Sequence, residues 1–185
     1  MGYPVVIKIA SKEIVHKSDA GGVKVGLKTP EEVEKAYDEI HSSISEKHPD
    51  AVIQGVTVQK EACLGTEVII GMTKDAQFGP VLMFGLGGVW VELLKDVSFR
   101  IVPLTRRDAK EMIKEIKGYR LLEGYRGQEG VDISALEEIL LSISDYVDRN
   151  REIKELDINP IFAYKEGAVA VDARVILDPA ERRSR

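Results

Sequence analysis

The C-terminal stretch constrains the fold of this chain most. Leu156-Asp157-Ile158-Asn159-Pro160 leads into the β-prone run Ile161-Phe162-Ala163-Tyr164, Lys165-Glu166-Gly167 follows, and a second apolar run, Ala168-Val169-Ala170-Val171, ends in Asp172-Ala173-Arg174. A short Gly-containing link between two such runs predicts a hairpin. A hairpin brings distant positions opposite one another, so Asn159 and Asp172, 13 residues apart, are expected to face each other across two strands. Their side-chain oxygens are hard donors of the kind that suits Mg²⁺, which takes one or two protein carboxylates and leaves its other positions to water and phosphates. Taken alone, the same residues also fit a turn, because Asp and Asn before Pro are ordinary turn formers.

A chain of 185 residues, 44% apolar and 31% charged, describes a soluble globular protein with one large or two small domains. A net charge of −5 argues against nucleic acid as the main partner, since phosphate backbones demand surplus Lys and Arg, so anionic ligands would need a local pocket. No apolar run is long enough for a bilayer and no basic, apolar leader opens the chain, which predicts no membrane association and a cytoplasmic location. The single cysteine, Cys63, excludes an internal disulfide and a Cys-based zinc cluster, and its neighbours Ala62 and Leu64 predict a buried, inert thiol.

The chain opens almost inside a strand, Pro4-Val5-Val6-Ile7-Lys8-Ile9, an opening expected of a fragment or of a protein whose upstream segment is supplied elsewhere. A polar, glycine-bearing loop, His16 to Gly22, precedes a return strand over Val23–Leu27. Thr29-Pro30-Glu31-Glu32 is a helix start, with Thr as cap and Pro at the first helical position, and Val33, Ala36, Tyr37, Ile40 and Ile44 recur at helical spacing. Strands are expected over 51–59, 67–73, 80–84 and 98–102, the third ending in Gly85-Leu86-Gly87-Gly88. Thr105 caps a second helix, Gly118 and Gly124 bracket a loop, and a long helix begins near Ile133. The pattern is α+β with mainly antiparallel strands in two lobes, expected at 1–75 and 76–178, with a charged tail at 179–185.

Several of these segments together resemble one family, the ATP-grasp domain of the ADP-forming acyl-CoA synthetases, in the β-subunit type of acetyl-CoA synthetase. The likeness rests on Tyr3 to Lys8, His16 to Val25, Glu67 to Met72, Gln77 to Pro80, Phe84 to Gly88 and Glu155 to Pro160, in order over nearly the whole chain. The resemblance implies an ATP-grasp fold whose first lobe lacks its N-terminal part here, because the family's β subunit carries a few tens of residues before the position of Tyr3. It also implies the reaction acyl-CoA + ADP + phosphate = acid + ATP + CoA, with the phosphoryl group passing through a histidine, and a CoA-binding α subunit or domain as partner in a hetero-oligomer. Two alternatives stand beside it: a succinyl-CoA ligase-like subunit, and a non-catalytic nucleotide-binding or assembly module.

Residue by residue, the resemblance implies His16 as phosphoryl carrier, for which imidazole suits because it titrates near neutrality, and Asp157 beside it. Asn159 and Asp172 become Mg²⁺ ligands. Lys8, embedded in an apolar strand where an amine needs a counter-charge or anion, is expected against the nucleotide's phosphates, with Lys24 repeating the theme on the return strand or simply facing solvent. Gly21 and Gly22 can offer backbone N–H groups to phosphate, and Arg174 shares the face of Asp172. Gln59, Glu61 and Glu67 flank the turn where this fold holds the adenine and ribose of ATP or ADP, with Glu67 able to accept both ribose hydroxyls. Lys60 alternates with Glu61 and reads as surface charge. The run Gly85 to Gly88, with Glu92 and Asp96, resembles the family's segment beside the phosphates.

Overall fold

The computed structural model describes residues 1–11, 13–14, 17–88 and 95–178. The chain forms two compact units, Met1–Ala62 and Cys63–Arg185. The first unit is an antiparallel sheet of β1 (Val5–Ala10), β2 (Val23–Leu27) and β3 (Gly55–Lys60), in the order β2-β1-β3. Helix α1 (Pro30–Lys47) covers one face of it. Strand alternation sends Ile7 and Ile9 to that face, where they meet Ala36, Ile40 and Ile44 in a buried cluster. The helix starts where the sequence requires, with the Thr29 hydroxyl accepting the Glu32 N–H at 3.2 Å and Pro30 in the first turn. Tyr37 lies at the border of the apolar stripe, 39% exposed, its ring 4.9 Å from that of His41.

The second unit holds β4 (Thr66–Asp75), β5 (Gly79–Leu86), β6 (Val97–Ile101), α2 (Arg106–Glu115), α3 (Tyr119–Glu123), α4 (Ile133–Arg149), β7 (Ile153–Ala163), β8 (Ala168–Ala170) and β9 (Ala173–Leu177). Its sheet runs β6-β5-β4-β7-β8, and β9 continues beside β7. One face packs on the helices: Val68, Ile70, Leu82 and Phe84 meet Met112, Ile113, Leu136 and Leu140, all fully buried. Each such side chain contributes about 1.5–3 kcal/mol of transfer free energy. The opposite face of this sheet carries Met83, Asp157 and Arg174 around a hollow of about 230 Å³.

Two expectations change here. The strand β4, assigned from sequence to the first lobe by a boundary after residue 75, belongs to the second unit because it pairs with β5 along one edge and β7 along the other. The bracket Gly118 to Gly124 is not plain loop: it contains α3, whose Leu122 is fully buried. The turn into α3 is fastened by the buried Asp96, whose two carboxylate oxygens accept the Lys117 and Gly118 N–H groups at 2.7 Å each. Asp96 thus has a structural task. Cys63 is exposed, not buried, because it lies in the link between β3 and β4, where the adjacent Leu64 is itself 87% exposed.

Candidate functional site

The hairpin at the C-terminal end forms, and one proline shapes it. Pro160 has no N–H to give to a ladder, and strand β7 is interrupted on both sides at that point. Toward β4 the register passes from Val68↔Ile161 to Ile70↔Ile158, leaving an extra residue on β7 at Asn159-Pro160. Toward the other edge, β8 stops at Ala170 and β9 starts at Ala173, with Val171 and Asp172 between them. Such bulges re-aim side chains. Here the bulge keeps both Ile158 and Ile161 on the core side and leaves Asp157 and Asn159 outside it.

The break in the ladder is where the two proposed ligands meet. The Asn159 N–H donates to the Asp172 carbonyl at 3.2 Å, and the Val171 N–H donates to the Pro160 carbonyl at 2.9 Å. Asp157 is the direct cross-strand partner of Arg174, and both line the open hollow with Gly71 and Met83. Asp157, Asn159, Asp172 and Arg174 therefore lie along neighbouring backbone positions of β7 and the segment opposite it. Asn159 supplies a carboxamide oxygen and Asp172 a carboxylate, a donor set that fits Mg²⁺. Among the described residues no group of three or more His, Cys, Asp or Glu side chains could hold a metal ion, so a cation at Asn159 and Asp172 would keep most of its shell for water and phosphate.

In the first unit the predicted residues separate. Lys8 pairs with Thr57 and Val6 with Gln59, so Lys8 and Gln59 share the sheet face turned away from α1, Lys8 being only 6% exposed. Lys24 pairs with Ile7 and so faces α1, where its ammonium meets Glu39 Oε2 at 2.6 Å. That neighbour holds the Glu39 carboxyl below the usual carboxylate range. In this arrangement Lys24 is a surface ion-pair member on the opposite side from Lys8. Glu61 is also committed internally, its carboxylate accepting the Gly26 N–H at 2.9 Å.

The glycines of the first loop act differently from expectation. The Gly21 N–H donates to the Ser18 carbonyl at 3.0 Å and the Gly22 N–H to the Lys17 carbonyl at 2.7 Å, so neither donor is aimed at a ligand in this conformation. Their value is steric. Gly21 has φ +77°, and a Cβ on Gly22 would stand 2.5 Å from Ile9 Cγ2. His16 and Glu92 lie outside the described residues.

In the second unit Glu67 stands against the glycine run, a juxtaposition that depends on strand register. The Gly87 N–H donates to the Glu67 carbonyl at 2.7 Å, and the space where a Gly88 Cβ would sit is 3.0 Å from Glu67 Oε2. Glu67, Gly87 and Gly88 open onto a pocket of about 800 Å³ shared with Gln128, Tyr164 and Lys165. Arg100 is engaged by Glu115 at 2.7 Å.

Sequence reading passed over Asp132. It caps α4 by accepting the Ala135 N–H at 3.0 Å, and its second oxygen accepts the Gly167 N–H at 2.9 Å in the hairpin turn. Its own N–H donates to the Tyr164 carbonyl at 2.7 Å. The Gly167 and Ala135 donors hold its carboxyl below the ordinary aspartate value. The signal was present, an Asp immediately before the helix start at Ile133, but its second bond needs the tertiary fold.

Comparison with known proteins adds three findings. Residues 1–177 match the model of an ATP-grasp domain. The β subunit of Acetate–CoA ligase [ADP-forming] I from Pyrococcus furiosus is 54% identical over 177 residues, 96% of this chain and 76% of that one. Two solved structures of Ca. Korarchaeum cryptofilum dinucleotide forming acetyl-coenzyme A synthetase 1 superpose closely. The one in complex with coenzyme A and Ca-AMPCP has a TM-score of 0.93 at 54% identity, covering 96% of this chain and 77% of that one. The other, with coenzyme A and Mg-AMPPCP and a phosphohistidine segment pointing towards the nucleotide binding site, has a TM-score of 0.83 at 52% identity, covering 96% and 78%.

Proposed function

The chain belongs to the ATP-grasp family, in the group that contains the β subunits of ADP-forming acetate–CoA ligases, and on that footing we propose that it is the nucleotide-binding subunit of an ADP-forming acyl-CoA synthetase. In this reading it moves a phosphoryl group between a phosphohistidine and ADP. The bond from phosphorus to the imidazole nitrogen breaks as the bond to the terminal ADP oxygen forms, giving ATP. The reverse step phosphorylates the histidine.

The observation that carries the reading is the meeting of Asn159 and Asp172 at the break in β7, with Asp157 and Arg174 beside them. Asn159 and Asp172 would hold Mg²⁺, which supplies charge neutralisation to the phosphates during phosphoryl transfer. Arg174 offers a planar fork of donors to phosphate oxygens. Asp157 orients the phosphorylated imidazole. Lys8 contributes a poorly hydrated ammonium to the nucleotide's phosphates, while Gln59 and Glu67 are assigned to adenine and ribose. His16 is the carrier, a role supported by the sequence His16-Lys17-Ser18-Asp19 and by the phosphohistidine segment of the Ca. Korarchaeum cryptofilum relative. The Pyrococcus furiosus relative is named as a subunit, which supports a partner chain, and we assign CoA binding to that partner.

Incubation with γ-labelled ATP and Mg²⁺ tests this. Acid-labile, base-stable label that disappears in His16→Ala and falls in Asp172→Ala is the expected result. Label that survives His16→Ala refutes the carrier, and Mg-ADP binding without any labelling identifies a non-catalytic module instead.

A further inference from the structure

The close approach of the glycine run to Glu67 distinguishes two glycines that look alike in sequence. At Gly87 an added Cβ would stand 2.8 Å from Glu67 Cβ and 3.2 Å from its carbonyl carbon, so a side chain there would force apart the backbones of β4 and the segment after β5. At Gly88 the same atom would meet, among the described residues, the Glu67 carboxylate alone, at 3.0 Å from Oε2 and 3.9 Å from Cδ, the far end of a flexible side chain. Gly87 is thus required by the fold, whereas Gly88 touches only the position of a carboxylate.

We propose that Gly88 is a positioning residue for nucleotide recognition: by leaving no side chain beside Glu67, it fixes where that carboxylate stands and so selects a ribose bearing both hydroxyls over a 2′-deoxyribose. The inference rests on the reading of Glu67 as the ribose acceptor. A carboxylate takes two hydroxyl donors at once only when both its oxygens are presented to the diol. A methyl group at Gly88 displaces Oε2 and makes no contact with the Glu67 backbone that pairs with Gly87. Losing a hydrogen bond to a charged acceptor weakens binding by about ten- to a hundredfold, which is the discrimination that displacement would erase.

The test is calorimetric titration of the chain with Mg-ADP and with Mg-2′-deoxy-ADP, reading the ratio of the two Kd values. Gly88 has φ +62°, so Gly88→Ala also strains the backbone. Gly79→Ala is the matched control, because Gly79 has φ +73° with nothing within 4 Å of its would-be Cβ. The parent chain and Gly79→Ala are expected to prefer ADP by about tenfold or more, and Gly88→Ala by less than about threefold. Full discrimination retained by Gly88→Ala overturns the proposal, and so does its loss in Gly79→Ala, which would make strain the cause. Glu67→Ala tests the underlying reading: if its ratio equals that of the parent, Glu67 does not read ribose and both fall. A chain that binds neither nucleotide defeats both as well.

Discussion

Lys8 and Lys24 lie on neighbouring strands, both within apolar sequence, and the structure assigns them opposite fates. The registers Ile7↔Lys24 and Lys8↔Val23 place them on opposite faces of the first unit's sheet. Lys8 is 6% exposed on the face away from α1, whereas the Lys24 and Glu39 side chains are 38% and 46% exposed and bonded to each other. Replacing either lysine by Met keeps most of the aliphatic stem and removes the charge. At Lys8, on the proposed assignment to the nucleotide's phosphates, the change deletes a charge-assisted contact from a desolvated position, about 1.5–3 kcal/mol, or roughly ten- to a hundredfold in Kd for Mg-ADP. At Lys24 it deletes an exposed, solvent-screened ion pair, with little effect on stability and none expected on nucleotide affinity. Calorimetry with Mg-ADP, alongside thermal melts of both variants, reads the two effects separately. If Lys24→Met weakens ADP binding as much as Lys8→Met, the separation of faces does not govern ligand contact and the reasoning fails.

If Asn159 and Asp172 hold one cation as proposed, Asp172→Asn and Asn159→Ala should each raise the Mg²⁺ concentration needed for ADP binding by about tenfold or more, with the double variant less than additive; ADP titrations across a Mg²⁺ series check this. Gly22→Ala forces a methyl group to 2.5 Å from Ile9 Cγ2 and 3.1 Å from the Lys17 carbonyl, so a loss of about 1–3 kcal/mol is expected, read as a fall in Tm of about 2–4 °C per kcal/mol. Asp132 has a folded pKa below its ordinary value. The stability it confers is present above about pH 4 and disappears as pH drops through the depressed folded pKa. Asp132→Asn should therefore flatten the acid limb of stability measured by urea unfolding, and an unchanged limb would show that its bonds to Gly167 and Ala135 do not matter.

Much of the local structure follows from short-range rules. Thr29, Pro30 and the Ala36, Ile40, Ile44 spacing specify α1 with its cap, and Thr105 with Asp108 specifies the capping box of α2. The hairpin, with Asn159 meeting Asp172, is legible because its turn, its alternation and its proline are all contiguous. What escaped was contact between segments far apart in the chain. The exposed Cys63, the membership of β4 in the second unit, and α3 with Leu122 as a core plug each depend on which surfaces are covered by something distant.

By itself, then, the sequence determined the capped helices, the strand alternation and the C-terminal hairpin, since each is fixed by neighbours within one turn or one ladder step. Only the tertiary structure decided that Lys24 turns to Glu39, that Gly21 and Gly22 spend their N–H groups on Lys17 and Ser18, and that Glu67 stands against Gly87 and Gly88. The physical reason is that side-chain and backbone donors have several partners of equal chemistry along the chain. Register and packing choose among them.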